Sequence, residues 1–388
     1  MRILTIAPFY RFFIKDFTEA LSKHVDKIDV LVHHNYLSEL APYMPFSYFR
    51  HVEKFSRKNL VDLTGLPPNV RVHVVSTVYF TPDGRNTKLG DKLAKLFDRY
   101  IKRHKIEFDL IHAHFTWPSG YAGVKVAREY GVPSVITIHE NRDWFLKEYK
   151  SRNEKIYWAW RNADALIRVN KVDIPLLREF NRNVFHVPNG FNPRRLPFVD
   201  KGMARNHLGI PKDTKVLFGL GNLIERKGFH YLIDAMSLVA KERRDVVCFI
   251  GGSGPLRNTL QNQINKLGLQ EHVKLLGFVP DDQLALWMNA ADLFVLPSLS
   301  EGNPTVMFEA LGVGLPFVGT AVGGVPEIIT SEDYGLLCPP ADPECLAEKI
   351  LIALEKEWDR EKIRKYAEQF TWENIARQII RVCSEVTR

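Results

Sequence analysis

The chain has 388 residues, 45% apolar and 25% charged, a profile that excludes a disordered or collagen-like protein and fits a soluble globular one. That length exceeds one ordinary core, so two domains of near-equal size are expected. The net charge of +8 is unevenly shared: residues 1–199 carry 32 Lys and Arg against 20 Asp and Glu (+12), and residues 200–388 carry 21 against 25 (−4). A basic first half is expected to meet something anionic, whether nucleic acid, an anionic membrane surface or a phosphorylated acceptor. A solvated lysine-rich surface accounts for the charge equally well.

In chain order, "MRILTIAPFY" reads straight into a strand, without the basic segment, apolar core and cleavage site of a signal peptide. Further strands are expected at "KIDVLVHH", "VRVHVVS", "FDLIHAHF", "PSVITIHE", "ALIRVN" and "NVFHVPNG". Amphipathic helices are expected at residues 90–104 and 119–131. The second half repeats the rhythm with strands at "KVLFGLGN", "DVVCFIGGSG", "HVKLLGFVP", "DLFVLPS" and "PFVGTAVGG". Between them "GFHYLIDAMSLVAKER" and "DQLALWMNAA" read as helices. Such alternation implies α/β domains, each a doubly wound parallel sheet covered on both faces.

Prolines and charges interrupt the rhythm over residues 189–213. The domains are therefore set at 1–195 and 214–370, with a linker at 196–213 and a helical tail at 371–388 anchored by Trp372. Periodicity leaves open which domain that tail packs on. Two doubly wound domains facing across a cleft would bind ligands at the carboxyl ends of their strands. Residues 310–326 lack charge, but their glycines and Pro316 suit a helix–turn–strand–turn rather than a membrane span. Cys248, Cys338, Cys345 and Cys383 form no C-x-x-C pair, which fits ordinary thiols in a reducing cytosol.

Glu301 and Glu309 bracket an Asn-Pro step. Asn303 suits an N-cap and Pro304 a first helical position, so a helix is expected from Pro304 through Ala310. Its free N–H groups and positive dipole end favour a phosphate. Ionised carboxylates accept hydrogen bonds in pairs and can hold neighbouring hydroxyls of a sugar or ribose. For two glutamates alone, a cap and a solvent-facing helical residue would be the better explanation, since the spacing is common.

Glycine turns shift the balance. "GLGNLIERKG" follows a strand and ends near Lys227, "IGGSGP" leaves the next strand, and "GGVPE" is a third such turn. Together, at successive strand ends of one sheet, they point to a phosphate-bearing nucleotide. The dinucleotide fingerprint is incomplete and no G-x-x-x-x-G-K-[ST] occurs, which disfavours a dehydrogenase or P-loop enzyme. There is no D-x-D, so nothing argues for an obligatory metal or any cofactor beyond the donor.

"EGNPTVMFEAL", with seven residues between its glutamates, is similar to the E-x7-E region of the retaining glycosyltransferases of family 4. "GLGN…ERKGFHYLIDA", "FIGGSGP", "VKLLGFVP" and "ADLFVLPSLSEG" follow that family's order, and "DLIHAHF", "ITIHE" and "VPNGFNP" resemble its first domain. The resemblance covers about Asp109 to Trp372 and is weak over the first hundred residues. It implies the GT-B architecture, with a nucleotide-sugar donor on the second domain and an acceptor on the first. It implies that Lys227 neutralises the donor diphosphate, Glu309 holds the ribose hydroxyls and Glu301 the transferred sugar. Main chain at Phe278 would meet the base. The turns Ser253–Gly254 and Gly302–Asn303–Pro304–Thr305 would lie near diphosphate and sugar. His139 matches the histidine that reaches the sugar from the first domain, although a satisfied strand-end histidine is the plain alternative.

Two departures stand out from that pattern. Asn222 occupies a position where the family often has Arg, leaving Arg226 as a candidate substitute, and "APFYRFFIKDF" replaces the usual Gly-Gly loop. His112 and His114 share one strand face; a packed strand end explains them better than a metal pair.

The expected reaction is therefore transfer of a sugar from a UDP- or GDP-sugar to a hydroxyl on a glycan, lipid-linked sugar or small molecule, with the anomeric configuration kept. A nucleotide-sugar epimerase could use the same architecture. A nucleic-acid-binding protein is disfavoured, since no reading module is recognisable, and no nucleic-acid partner is assigned. Aromatic, proline and basic residues at 36–60 suit either a peripheral membrane contact at the cytoplasmic face or an acceptor-site loop.

Overall fold

The computed structural model describes residues 1–40, 55–80 and 86–387. It divides into two compact units, Met1–Pro188 with Trp372–Arg388, and Asn189–Thr371.

Among the described residues, the first unit is built on seven strands: β1 (Arg2–Ala7), β2 (Lys27–Asn35), β3 (Val70–Thr77), β4 (Leu110–His114), β5 (Ser134–Ile138), β6 (Ala165–Arg168) and β7 (Val184–His186). All pair in parallel, in the order β3-β2-β1-β4-β5-β6-β7. Both faces of the parallel sheet are covered, so β4 and β5 are buried at every residue, the polar His112, His114, Ser134 and Thr137 included. The helix Leu89–His104 shows how the sequence writes its covering layer. Leu89, Leu93, Phe97 and Ile101 recur at the spacing that aligns one helix face, and all are buried. Lys102, Arg103 and His104 fill its last turn, where cations complement the dipole.

The second unit carries β8 (Lys215–Leu220), β9 (Val246–Gly251), β10 (Val273–Gly277), β11 (Leu293–Leu296), β12 (Phe317–Thr320) and β13 (Gly335–Cys338). They are parallel, in the order β10-β9-β8-β11-β12-β13. In each sheet the order reverses once, between β1 and β4 and between β8 and β11. Chain leaving those neighbouring strands diverges to opposite faces and opens a crevice at their carboxyl ends.

Two differences from the sequence reading stand out, and a question it left open is answered. The first unit closes at Pro188 rather than 195, and the expected linker is folded into the second unit. Asp200 caps a helix at Lys201–Leu208 by accepting the Met203 N–H, and that helix packs on Asp281–Ala290. Arg205, buried beneath it, donates to the Ala290 carbonyl at 3.0 Å and to Asp292 at 2.8 Å. Conversely, the tail helix Trp372–Val386 returns to the first unit. Trp372, Ile375, Ala376, Ile379, Val382 and Cys383 are buried there with Phe17 and Leu21. Strand β13 is additional to the strands read from the sequence.

No helix among the described residues is long and apolar enough to cross a membrane. Cys248, Cys338 and Cys383 are buried, Cys345 is half-buried, and all four are free thiols.

Candidate active site

The turns at the carboxyl edge of the second sheet are bonded to one another. After β8, Gly221 donates its N–H to Gly251 at 3.0 Å, and Leu223 donates to Ser253 at 2.9 Å. After β9, Gly252 donates to Gly277 at the end of β10 (2.7 Å). Across the reversal, Leu299 donates to Arg226 at 2.8 Å, and Gly324, after β12, donates to Gly302 at 2.8 Å. Close approach explains the glycines. A Cβ on Gly252, whose φ is +138°, would stand 1.8 Å from the Gly221 carbonyl oxygen. One on Gly323 (φ +54°) would stand 1.9 Å from that of Glu301.

At the reversal itself, Glu301 is buried and takes hydrogen bonds from three groups. Lys227 Nζ lies at 2.5 Å, Ser298 Oγ at 2.7 Å and Arg226 Nη1 at 3.1 Å. Arg226 also reaches the Ser300 carbonyl at 2.6 Å. Burial alone would raise the Glu301 pKa; Lys227 and Arg226 outweigh it and hold the carboxylate below its ordinary range. Two cations, Lys227 buried and Arg226 partly exposed, against one buried carboxylate leave a local excess of positive charge, which an anion would balance.

From Glu301 the chain enters the helix Thr305–Gly312, one residue later than expected. Asn303 does not cap it. Its Oδ1 instead accepts the Asn189 N–H at 2.8 Å, and Asn189 Nδ2 donates to its carbonyl at 2.7 Å. Pro304, at ψ 121°, takes the cap position without a side-chain bond. Glu309 lies on this helix, buried, with Arg195 Nη1 3.7 Å from its Oε1. Arg195 also pairs with Asp281 at 2.6 Å, three residues beyond Phe278. Phe278 leaves β10 and is 70% exposed, the kind of flat apolar surface a base can lie on.

In the first unit, His139 follows β5 and is half-buried. Its Nε2 lies 3.0 Å from His114 Nδ1 at the end of β4. Phe13 and Phe115 pack on its ring with centroids at 4.9 and 5.2 Å. The fully buried Arg168 donates to the carbonyls on either side of His139, Ile138 and Glu140, both at 2.8 Å. The same guanidinium is held by Asp173 at 2.7 Å. His112 and His114 are both buried, with ring centroids 4.4 Å apart. Burial pushes His112 down to about 3 and depresses His114 strongly. His112 Nε2 meets Thr137 Oγ1 at 2.8 Å, the bond of a packed strand end.

Comparison with known proteins settles the family. Residues 200–370 match the model for glycosyl transferases group 1, and residues 56–195 match that for glycosyltransferase family 4. An uncharacterised glycosyltransferase of Methanocaldococcus jannaschii is 30% identical over 298 residues, covering 71% of this chain and 75% of the relative. The chain belongs to glycosyltransferase family 4. Its fold is GT-B, as solved structures show. Sucrose-phosphate synthase from Thermosynechococcus elongatus superposes with a TM-score of 0.77 at 20% identity, covering 100% of this chain and 99% of that one. Anabaena HepE in complex with UDP-glucose superposes at 0.72 and 22% identity, over 99% and 100% of the two chains.

Within this glycosyltransferase, backbone and side-chain bonds unite the turns that bear Asn222, Arg226, Lys227, Ser253, Gly254, Glu301 and Gly302. Phe278 joins them through Gly277, while Thr305 and Glu309 ride on the helix that leaves the group. Asn222 is exposed, whereas Arg226 stands beside Lys227 on the same carboxylate. His139 belongs to the other unit. Sequence reading missed Arg195, hidden in the proline-rich segment, and Arg168, which looked like an ordinary strand residue in "ALIRVN". A charged residue inside an apolar strand was the available signal, since burial demands a partner. Residues 41–54 of the expected acceptor or membrane segment lie outside the described residues.

Proposed function

We propose that this glycosyltransferase moves a sugar from a UDP- or GDP-sugar to an acceptor hydroxyl with retention of anomeric configuration. The observation that carries the reading is the net positive charge of Arg226, Lys227 and Glu301 among interlinked glycine turns. A pyrophosphate supplies the missing negative charge, and backbone N–H groups at the start of the helix Thr305–Gly312 add to its binding. When the bond from the anomeric carbon to the diphosphate breaks, negative charge grows on the leaving oxygen. Lys227 and Arg226 stabilise it there, Glu301 orients the transferred sugar, and Glu309 takes the ribose hydroxyls. Ser253, Gly254, Gly302, Asn303, Pro304 and Thr305 line the diphosphate and sugar, Asn222 borders them, and main chain at Phe278 meets the base. His139 contacts the transferred sugar.

Two protein cations already on hand support a reaction that needs no obligatory metal. The departing phosphate takes the acceptor proton on the same face, which accounts for retention without a covalent nucleophile. The acceptor is a glycan, a lipid-linked sugar or a small molecule; free thiols fit a cytoplasmic protein, and the basic first half fits a peripheral membrane contact.

Product analysis by NMR, with UDP- and GDP-sugars and candidate acceptors in chelator, tests the reading. A retained anomer is expected, and Glu309→Gln and Lys227→Ala should each lower turnover about 100-fold or more. An inverted product, turnover only with added metal, or near-normal rates in both variants would contradict it.

A further inference from the structure

His114 is buried, 1% exposed, and its Nε2 has no hydrogen-bond partner among the described residues. Its other nitrogen, Nδ1, faces His139 Nε2 at 3.0 Å. One proton lies between them, and the orphaned nitrogen decides whose it is. Were His114 protonated on Nε2, a buried N–H would stand with no acceptor, a rare and costly arrangement. Protonated on Nδ1, His114 leaves only a lone pair unpartnered, which protein interiors tolerate better. Burial keeps the ring neutral, so it carries a single proton.

We infer that His114 is a positioning residue: it donates Nδ1–H to His139 Nε2 and thereby fixes the His139 proton on Nδ1. His139 then offers the sugar a hydrogen-bond donor and cannot serve as a base through Nε2, whose lone pair is already taken. A second observation supports a set geometry. Phe115, directly after His114, holds φ +67°, an uncommon angle for a bulky side chain, and its ring packs on His139. Arg168 pins the carbonyls of the two residues flanking His139. The ring is thus held by bonds on both sides of its backbone, by His114 and by two aromatic rings. Fixing the proton by the partner of the opposite nitrogen is how histidine tautomers are set generally.

The inference rests on the proposed contact of His139 with the transferred sugar, and its test separates the two. An Asn amide nitrogen can occupy the place of His Nδ1, while a Gln amide reaches only the place of Nε2. His139→Asn should therefore keep kcat within about 10-fold of wild type, and His139→Gln should lose about 100-fold. His114→Phe should lower kcat about 10-fold with donor KM unchanged, and His114→Asn, which restores an N–H near Nδ1, should recover it. The 15N shifts of histidine-labelled wild type should show His139 protonated on Nδ1, and His114→Phe should populate Nε2–H. Wild type protonated on Nε2 overturns the inference whatever the activity, and so does unaltered tautomer and kcat in His114→Phe. Equal wild-type activity of His139→Asn and His139→Gln overturns the sugar contact of His139 instead. In that case the diphosphate reading at Lys227 is untouched.

Discussion

Glu301 and Glu148 are the same side chain, both buried, pushed in opposite directions. Lys227 and Arg226 hold Glu301 ionised against the cost of burial. Glu148 is raised well above 4.5, first by burial and then by Glu140, with the Trp144 indole N–H and Arg168 only partly offsetting them. Arg168 is committed to Asp173 and two carbonyls, so little of its charge remains for Glu148. A carboxyl with a raised folded-state pKa stabilises the fold below its ordinary value of 4.5, and that stability fades as pH rises through the folded value. Glu148→Gln, an uncharged near-isostere, should flatten the decline of the melting temperature as pH rises above 4.5; identical slopes in both proteins would contradict this. Sequence made Glu301 visible through its spacing to Glu309. It hid Glu148, because "RDWFLKEYK" has the charge density of an exposed helix.

At the scale of elements, the strand exits are legible and their mutual bonds are not. Apolar runs ending in glycine announce β8 and β9, yet only the fold shows Gly252 pressed on Gly221. Gly252→Ala would need an L-residue at φ +138° with its Cβ inside a carbonyl oxygen's radius. The turn must then move, at a cost of about 2 kcal/mol or more. Because that turn is bonded to its neighbours, nucleoside diphosphate binding should weaken at least about 10-fold along with the melting temperature. Unchanged values for both would show that the turns are not coupled. The helix after Glu301 begins one residue later than its local sequence suggests, and the reason is not local. Asn303 has the chemistry of an N-cap, but Asn189, more than a hundred residues earlier, draws its side chain away. Local propensity cannot see such a partner.

Across the whole molecule, alternation of strands and helices revealed two wound sheets, and the E-x7-E spacing with its glycine turns pointed to the edge where the proposed site lies. The chain's path between the units was illegible, since prolines and charges at 189–213 resemble a linker even where Asp200 caps a helix. Charge is the other whole-molecule feature. The excess of basic residues in the first half is joined, at the carboxyl edge of β2 and β3, by exposed Tyr36, Phe55, Val78 and Phe80. Tyr36 N–H bonds Thr77 and Ser38 Oγ bonds the Phe55 carbonyl, so these residues share one edge, with Arg57 and Lys58 beside them. Such a mixture suits an anionic membrane surface. Co-sedimentation with anionic vesicles should weaken as salt rises and drop several-fold in Tyr36→Ser/Phe80→Ser. Equal partition onto neutral vesicles would contradict the membrane reading.

The proposed chemistry requires that the interlinked strand exits beside Lys227 take a nucleotide's diphosphate. Calorimetric titration of UDP and GDP into the full chain, wild type and Lys227→Ala, measures that directly. One of the two nucleotides should bind wild type with a micromolar Kd and Lys227→Ala about 100-fold more weakly. Binding of neither nucleotide, or equal binding by both proteins, would contradict it.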